Sequence, residues 1–127
     1  TTGLLLFTNN GDFAHKVMHP SFSFEREYHV VTDKKISRSN MKDLLKGVPI
    51  NTNQTGKFDS IELHNNFQKN YTITLSTGKN REIRNSLKYL NIKTLKLHRT
   101  KYSSIQLDDM KEGEYRYLTD DEINFLT

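Results

Sequence analysis

A chain of 127 residues, 34% hydrophobic and 27% charged, has enough apolar side chain for one domain with a modest core. Its 19 Lys and Arg stand against 15 Asp and Glu, a net charge of +4 and a pI of about 9.3, which favours a polyanionic partner, most simply nucleic acid. The absence of cysteine excludes a disulfide framework, a thiolate nucleophile and a cysteine metal site, and no apolar run approaches the ~20 residues that a membrane-crossing helix needs.

The chain opens on Thr1-Thr2-Gly3-Leu4 without an initiating Met or a visible targeting segment, and reads as a fragment. Gly3 to Thr8 is short and continuously apolar, the pattern of a buried strand. Asn9 to Asp12 is a turn, with Asp12 placed to cap a helix from Phe13 to His19 that Pro20 stops. His15 and His19 have i, i+4 spacing. With Pro20 next and no acidic third ligand nearby, they read as the end of a helix, and no metal site is expected. Phe22 to Thr32 predicts a strand with Phe22, Phe24, Arg26, Tyr28 and Val30 on one face. Ser37 or Ser39 can cap a helix from Asn40 to Lys46, closed by Gly47.

Val48 to Gly56 reads as a polar loop around Pro49. Phe58 to His64 and Tyr71 to Leu75 form a predicted hairpin, with Tyr71, Ile73 and Leu75 alternating against Thr72 and Thr74. A helix follows from Glu82 to Leu90, with Ile83, Leu87 and Leu90 as its core stripe and Arg81, Arg84 and Lys88 sharing another face. Thr94 to Tyr102 predicts a strand with Leu95, Leu97 and Arg99 on one side. Tyr115 to Leu118 predicts a last short strand, and Thr119 with Glu122 has the spacing of a capping box for a terminal helix. The sum is an α+β fold: a mainly antiparallel mixed sheet with helices packed on it, in a single domain spanning 1–127.

The stretch Thr77-Gly78-Lys79-Asn80-Arg81-Glu82-Ile83-Arg84-Asn85 joins a strand to a helix and concentrates three cations there. Glycine frees the turn, and backbone N–H groups with the helix dipole favour an anion, so the turn suits a phosphate or a carboxylate. An ordinary connection with solvated charges accounts for the same residues. Nothing resembles a nucleophile elbow, a P-loop or a dinucleotide fingerprint, and Asp12, Asp59, Asp108, Asp109, Asp120 and Asp121 read as surface, turn or cap residues. Cations with one well-placed aromatic suit RNA: a Tyr28 ring can stack on an unpaired base for about 1–3 kcal/mol while cations track phosphates. The commoner fate of such a residue is a core strand aromatic with its hydroxyl at the edge, which Tyr28 also fits.

Together these segments resemble the pseudouridine synthases, specifically their RsuA/RluB-type ribosomal RNA branch. The match runs through Thr1 to Gly11, Ala14 to Ser21, Glu25-Arg26-Glu27-Tyr28, Gly78 to Arg84, Leu97-His98-Arg99 and Gly113 to Thr119, in order, over essentially all of the chain. The resemblance implies the C-terminal portion of a catalytic domain that converts uridine to pseudouridine in ribosomal RNA, with an Asp as nucleophile and no metal or cofactor. It implies that Tyr28 stacks on the flipped base and helps remove the C5 proton, that Arg84 pairs with the Asp, and that Leu97 packs against the base. Lys79, Asn80, Arg81 and Arg99 are then left to face RNA.

By motif alignment the Asp falls three residues before Thr1, so these 127 residues are expected to form no pseudouridine alone. Asn85 stands where the family often has another Arg. The expected partner is RNA, in the first place ribosomal, with no membrane and a monomeric chain. A non-catalytic RNA-binding module of the same fold and a basic ribosome-associated protein are the alternative readings. The synthase reading places Arg84 near the start of the Gly3–Thr8 strand and close to Tyr28, in one cleft.

Overall fold

The computed structural model describes residues 1–19, 24–64, 69–79 and 81–126. Its elements in chain order are β1 (Thr2–Gly3), α1 (Gly11–Met18), β2 (Arg26–Thr32), α2 (Arg38–Lys46), β3 (Val48–Asn51) and β4 (Gln54–Gly56). There follow β5 (Ser60–Leu63), β6 (Asn70–Leu75), α3 (Glu82–Tyr89), β7 (Thr94–Tyr102), β8 (Ile105–Gln106) and α4 (Asp120–Leu126). A six-stranded sheet runs β1-β7-β2-β6-β5, with β8 paired to β7, and β3 pairs with β4 as a separate ribbon. Among the described residues only β1 with β7 is parallel. The α+β, mainly antiparallel architecture expected from the sequence is the one observed.

Alternation fixes the register. Val30 lies opposite Tyr71 and Leu97, and Tyr28 opposite Ile73 and Arg99. These side chains share one sheet face, which α2, α3 and the ribbon help to cover. Val30, Leu44, Phe58, Tyr71, Ile73 and Leu87 are fully buried there. Tyr71 keeps its hydroxyl satisfied by accepting the Ile36 N–H at 2.8 Å, as a buried phenol requires. The predicted stripe of α3 is present, with Ile83 and Leu87 buried and Leu90 packed against them. A smaller cluster of Val17, Tyr102, Ile105 and Leu126 joins α1 and α4 to the other end of β7.

Several boundaries differ from expectation for local reasons. The strand expected over Gly3 to Thr8 contributes only Thr2–Gly3 to the sheet. Gly3 has φ +97°, and a Cβ there would lie 2.3 Å from the Arg99 carbonyl oxygen. The chain therefore touches β7 and turns away, with one last bond from the Leu4 N–H to the Arg99 carbonyl at 2.8 Å. Leu4 and Leu6 pack inward while Leu5 and Phe7 stay exposed. Asn10, not Asp12, caps α1, its Oδ1 accepting the Phe13 N–H at 3.1 Å. Asp12 sits instead in the first turn, where a carboxylate favours the helix dipole. Strand β2 begins at Arg26, and residues 20–23 lie outside the described residues.

The loop expected over Val48 to Gly56 is the β3–β4 ribbon. Its tip is set by Asn51, which accepts the Asn53 N–H at 2.9 Å and donates to Gln54 at 2.6 Å. Composition suggested a loop, but side-chain turns of this kind close hairpins. The last strand expected, Tyr115 to Leu118, pairs with no strand among the described residues, and both tyrosines are exposed. The capping box that follows does form. The Thr119 N–H donates to Glu122 at 2.8 Å, and the Glu122 N–H to Thr119 Oγ1 at 3.2 Å.

Candidate RNA-binding active site

A groove of about 570 Å³ opens where β1 leaves the sheet. Its apolar floor is Leu75, Ile83 and Leu97, with Tyr28 on the same face. One wall is the departing segment Leu5–Thr8 with Phe13, Ala14 and Val17 of α1. The other wall is the turn from Thr77 into α3. Five cations converge on it from three elements and that turn: Arg26 of β2, Lys79 and Arg81 of the turn, Arg84 of α3 and Arg99 of β7.

Each cation has its own support. Arg99 Nε donates to the Leu4 carbonyl at 2.8 Å, tying β7 to the departing segment. Arg84 Nη1 donates to the Thr94 carbonyl at 3.3 Å. Arg26 Nη1 donates to the Phe24 carbonyl at 3.1 Å. The guanidinium carbons of Arg26 and Arg99 lie 5.0 and 5.5 Å from the centre of the Tyr102 ring, within cation–π range. Lys79 Nζ donates to the Thr55 carbonyl of the ribbon. Arg81 precedes α3 in the left-handed region (φ 51°, ψ 37°) and is exposed. Among the described residues the only ion pair is Arg116 with Glu122, so none of the five is neutralised by a carboxylate. A concave surface of this kind focuses positive potential and favours a polyanion.

The anion expected at the start of α3 is supplied by the chain itself. The buried Glu82 carboxylate accepts the Thr77 hydroxyl at 2.9 Å from each oxygen, the Lys79 N–H at 3.2 Å and the Lys57 N–H at 3.1 Å. The turn's inward donors are therefore taken, and the side chains of Arg81 and Arg84 remain for a ligand. Lys88, expected on a shared face with them, lies one turn further along α3, exposed and outside the groove. Asn80 lies outside the described residues.

So the geometry gathers Tyr28, Lys79, Arg81, Arg84, Leu97 and Arg99 on one groove that Thr1 also lines. The sequence model of the family described as RNA pseudouridylate synthase matches residues 1–89. The chain belongs to that family. A "Ribosomal large subunit pseudouridine synthase B" of Buchnera aphidicola is 37% identical over 132 aligned positions, covering 100% of this chain and 52% of its own length. An "Uncharacterized RNA pseudouridine synthase" of Borreliella burgdorferi is 36% identical, covering 99% of this chain and 49% of its own length. A solved structure titled "Crystal structure of pseudouridylate synthase" superposes with a TM-score of 0.83 at 26% identity, over 94% of this chain and 52% of that one. The chain thus spans about half the length of the relatives it matches.

Sequence reasoning missed three parts of this groove. Arg26 is two residues before Tyr28, so strand alternation alone puts it on the same face, but its charge gave no reason to look inward. Tyr102, between two guanidinium groups, read as an ordinary strand end. Glu82 read as a helix-start carboxylate, and nothing local signalled its burial.

Proposed function

We propose that this chain provides the base-holding and RNA-holding part of an active site that isomerises uridine to pseudouridine in ribosomal RNA. The observation that carries the reading is the convergence of Tyr28, Arg84 and Leu97, from β2, α3 and β7, on one apolar-floored groove ringed by cations. The family membership and the name of the Buchnera aphidicola relative, which specifies the large ribosomal subunit, point the same way.

A base inside paired RNA must be extruded before it can be reached, and the groove offers a ring and an aliphatic floor to receive it. In this reading Tyr28 stacks on the base and Leu97 packs against it. The nucleophile is an Asp carboxylate placed before Thr1, and Arg84 holds that carboxylate ionised and aimed. The N1–C1′ bond breaks, the uracil turns, and the C5–C1′ bond forms. The C5 proton leaves with help from the Tyr28 hydroxyl, and N1 gains a proton, so the product is an isomer. Lys79, Asn80, Arg81 and Arg99 track phosphates, and Arg26 joins them by its place in the groove. The chain acts on RNA as a monomer and away from membranes.

The test separates holding from chemistry in the complete natural chain. Arg84→Ala is expected to lower turnover at saturating RNA about 100-fold or more while weakening RNA affinity only severalfold. Lys79→Ala is expected to do the reverse, with a shallower dependence of affinity on salt. Replacing the Asp before Thr1 with Asn should abolish product and spare binding. Equal losses of turnover and affinity in both cation variants, or an active Asn variant, defeat the reading and leave an RNA-binding module.

A further inference from the structure

We propose that Glu82 is a positioning residue of this groove: its buried carboxylate stands in for a bound anion at the start of α3 and holds the turn that aims Lys79, Arg81 and Arg84. The inference rests on the reading of the groove as an RNA site and names what keeps that site in shape.

Three donors from two separate segments reach one carboxylate. Oε1 accepts from Thr77 Oγ1 at 2.9 Å and from the Lys79 N–H at 3.2 Å. Oε2 accepts from Thr77 Oγ1 at 2.9 Å and from the Lys57 N–H at 3.1 Å. Glu82 is only 4% exposed, and a buried carboxylate is tolerated only when its lone pairs are used in this way. Lys57 follows the ribbon directly, so the same group also pins β4 beside α3. Lys79 then reaches the ribbon carbonyl of Thr55, closing a second link between the two segments. Arg81 is held left-handed between Lys79 and α3, a conformation that persists only where its neighbours fix it.

The chemistry explains why a carboxylate can sit in a site for a polyanion. An exposed acid there would repel phosphate. Buried and saturated with donors, it orients backbone and leaves the guanidinium groups of Arg81 and Arg84 unpaired by acid and turned to the groove.

The experiment uses the complete natural chain and its Glu82→Ala, Glu82→Gln and Thr77→Val variants, reading amide exchange, RNA affinity and turnover at saturating RNA. In Glu82→Ala the Lys79 and Lys57 amides should exchange at least about tenfold faster, and turnover should fall about 100-fold through misplacement of Arg84. Gln keeps one acceptor oxygen. Glu82→Gln should therefore keep one of the Lys79 and Lys57 amides protected, open the other and retain turnover within about threefold. Thr77→Val removes one donor and covers the case in which Glu82→Ala does not fold. It should speed exchange at Lys79 and lower turnover about threefold. Unchanged exchange at Lys79 in Glu82→Ala and Thr77→Val, or full turnover per folded molecule despite open amides, overturns the proposal. If the unaltered chain binds RNA but makes no pseudouridine, the synthase reading falls, and exchange with RNA affinity still decides the role of Glu82.

Discussion

Single residues set the shape of the groove through contacts that their own chemistry explains. Gly3 is the clearest case. Its φ of +97° and the 2.3 Å approach of its Cβ position to the Arg99 oxygen leave no room for a side chain. Gly3→Ala should cost about 1–3 kcal/mol in backbone strain alone, with the clash against β7 added to it. Chemical denaturation of the complete chain measures the loss, and a melt unchanged from the parent would refute the close approach. Motif order linked Tyr28, Arg84 and Leu97 before the fold brought them to one groove, although local pattern alone made a core place the commoner fate for Tyr28. Glu82 was not legible, since burial of a charged helix-start residue depends on Lys57 and Thr77, whose proximity only the folded chain reveals.

At the scale of elements, period and capping chemistry were informative and composition was not. The stripe of Ile83, Leu87 and Leu90 and the alternation of Tyr71, Ile73 and Leu75 placed α3 and β6 well, because burial imposes those periods. The Asn- and Thr-rich residues of β3 and β4 misled, because the ribbon is held by its turn and by α3 packed on it rather than by propensity. The terminal cap makes a prediction here. Arg116, with the Thr119 N–H, holds the Glu122 carboxyl down to about 2. A carboxyl lowered on folding stabilises above its ordinary value near 4.5, and that contribution is lost as pH falls from there through about 2. The Thr119 amide resonance should therefore shift, and α4 fray, across that interval. In Glu122→Gln the same resonance should hardly move, and an identical acid transition in both proteins would contradict the cap.

At the scale of the whole molecule the two faces of the sheet differ in kind. One carries the apolar core and the groove. The other carries His29, Thr72 and His98 side by side, with His29 and His64 rings stacked at 4.9 Å. Burial lowers the His29 imidazole below its ordinary value near 6.5, against its hydrogen bond to Asn70, and His64, Lys96 and His98 add to the lowering. A histidine lowered on folding gives its full stabilisation above its ordinary value near 6.5 and loses it as pH falls from there through the lowered folded value. The melting temperature should decline over that interval, and His29→Gln should flatten the decline. A slope that survives the substitution would move the cause elsewhere. The alternation of strands and helices was enough to infer an α+β sheet, whereas the order β1-β7-β2-β6-β5 was not readable, because pairing of distant strands leaves no local mark.

That order has a kinetic side. The bonds joining β1 and its exit to β7, from Thr2 to Leu97 and His98 and from Arg99 to Leu4, connect residues 95 or 96 positions apart. Contacts of such separation carry the greatest loop-closure entropy and are made slowly. The hairpin of β5 and β6 can form from neighbours, but one wall of the groove must wait for β7 to be made and placed. During synthesis the apolar segment Leu4 to Phe7 emerges about ninety residues ahead of its partner strand, and through that interval it stays open to mispairing or to capture by a chaperone.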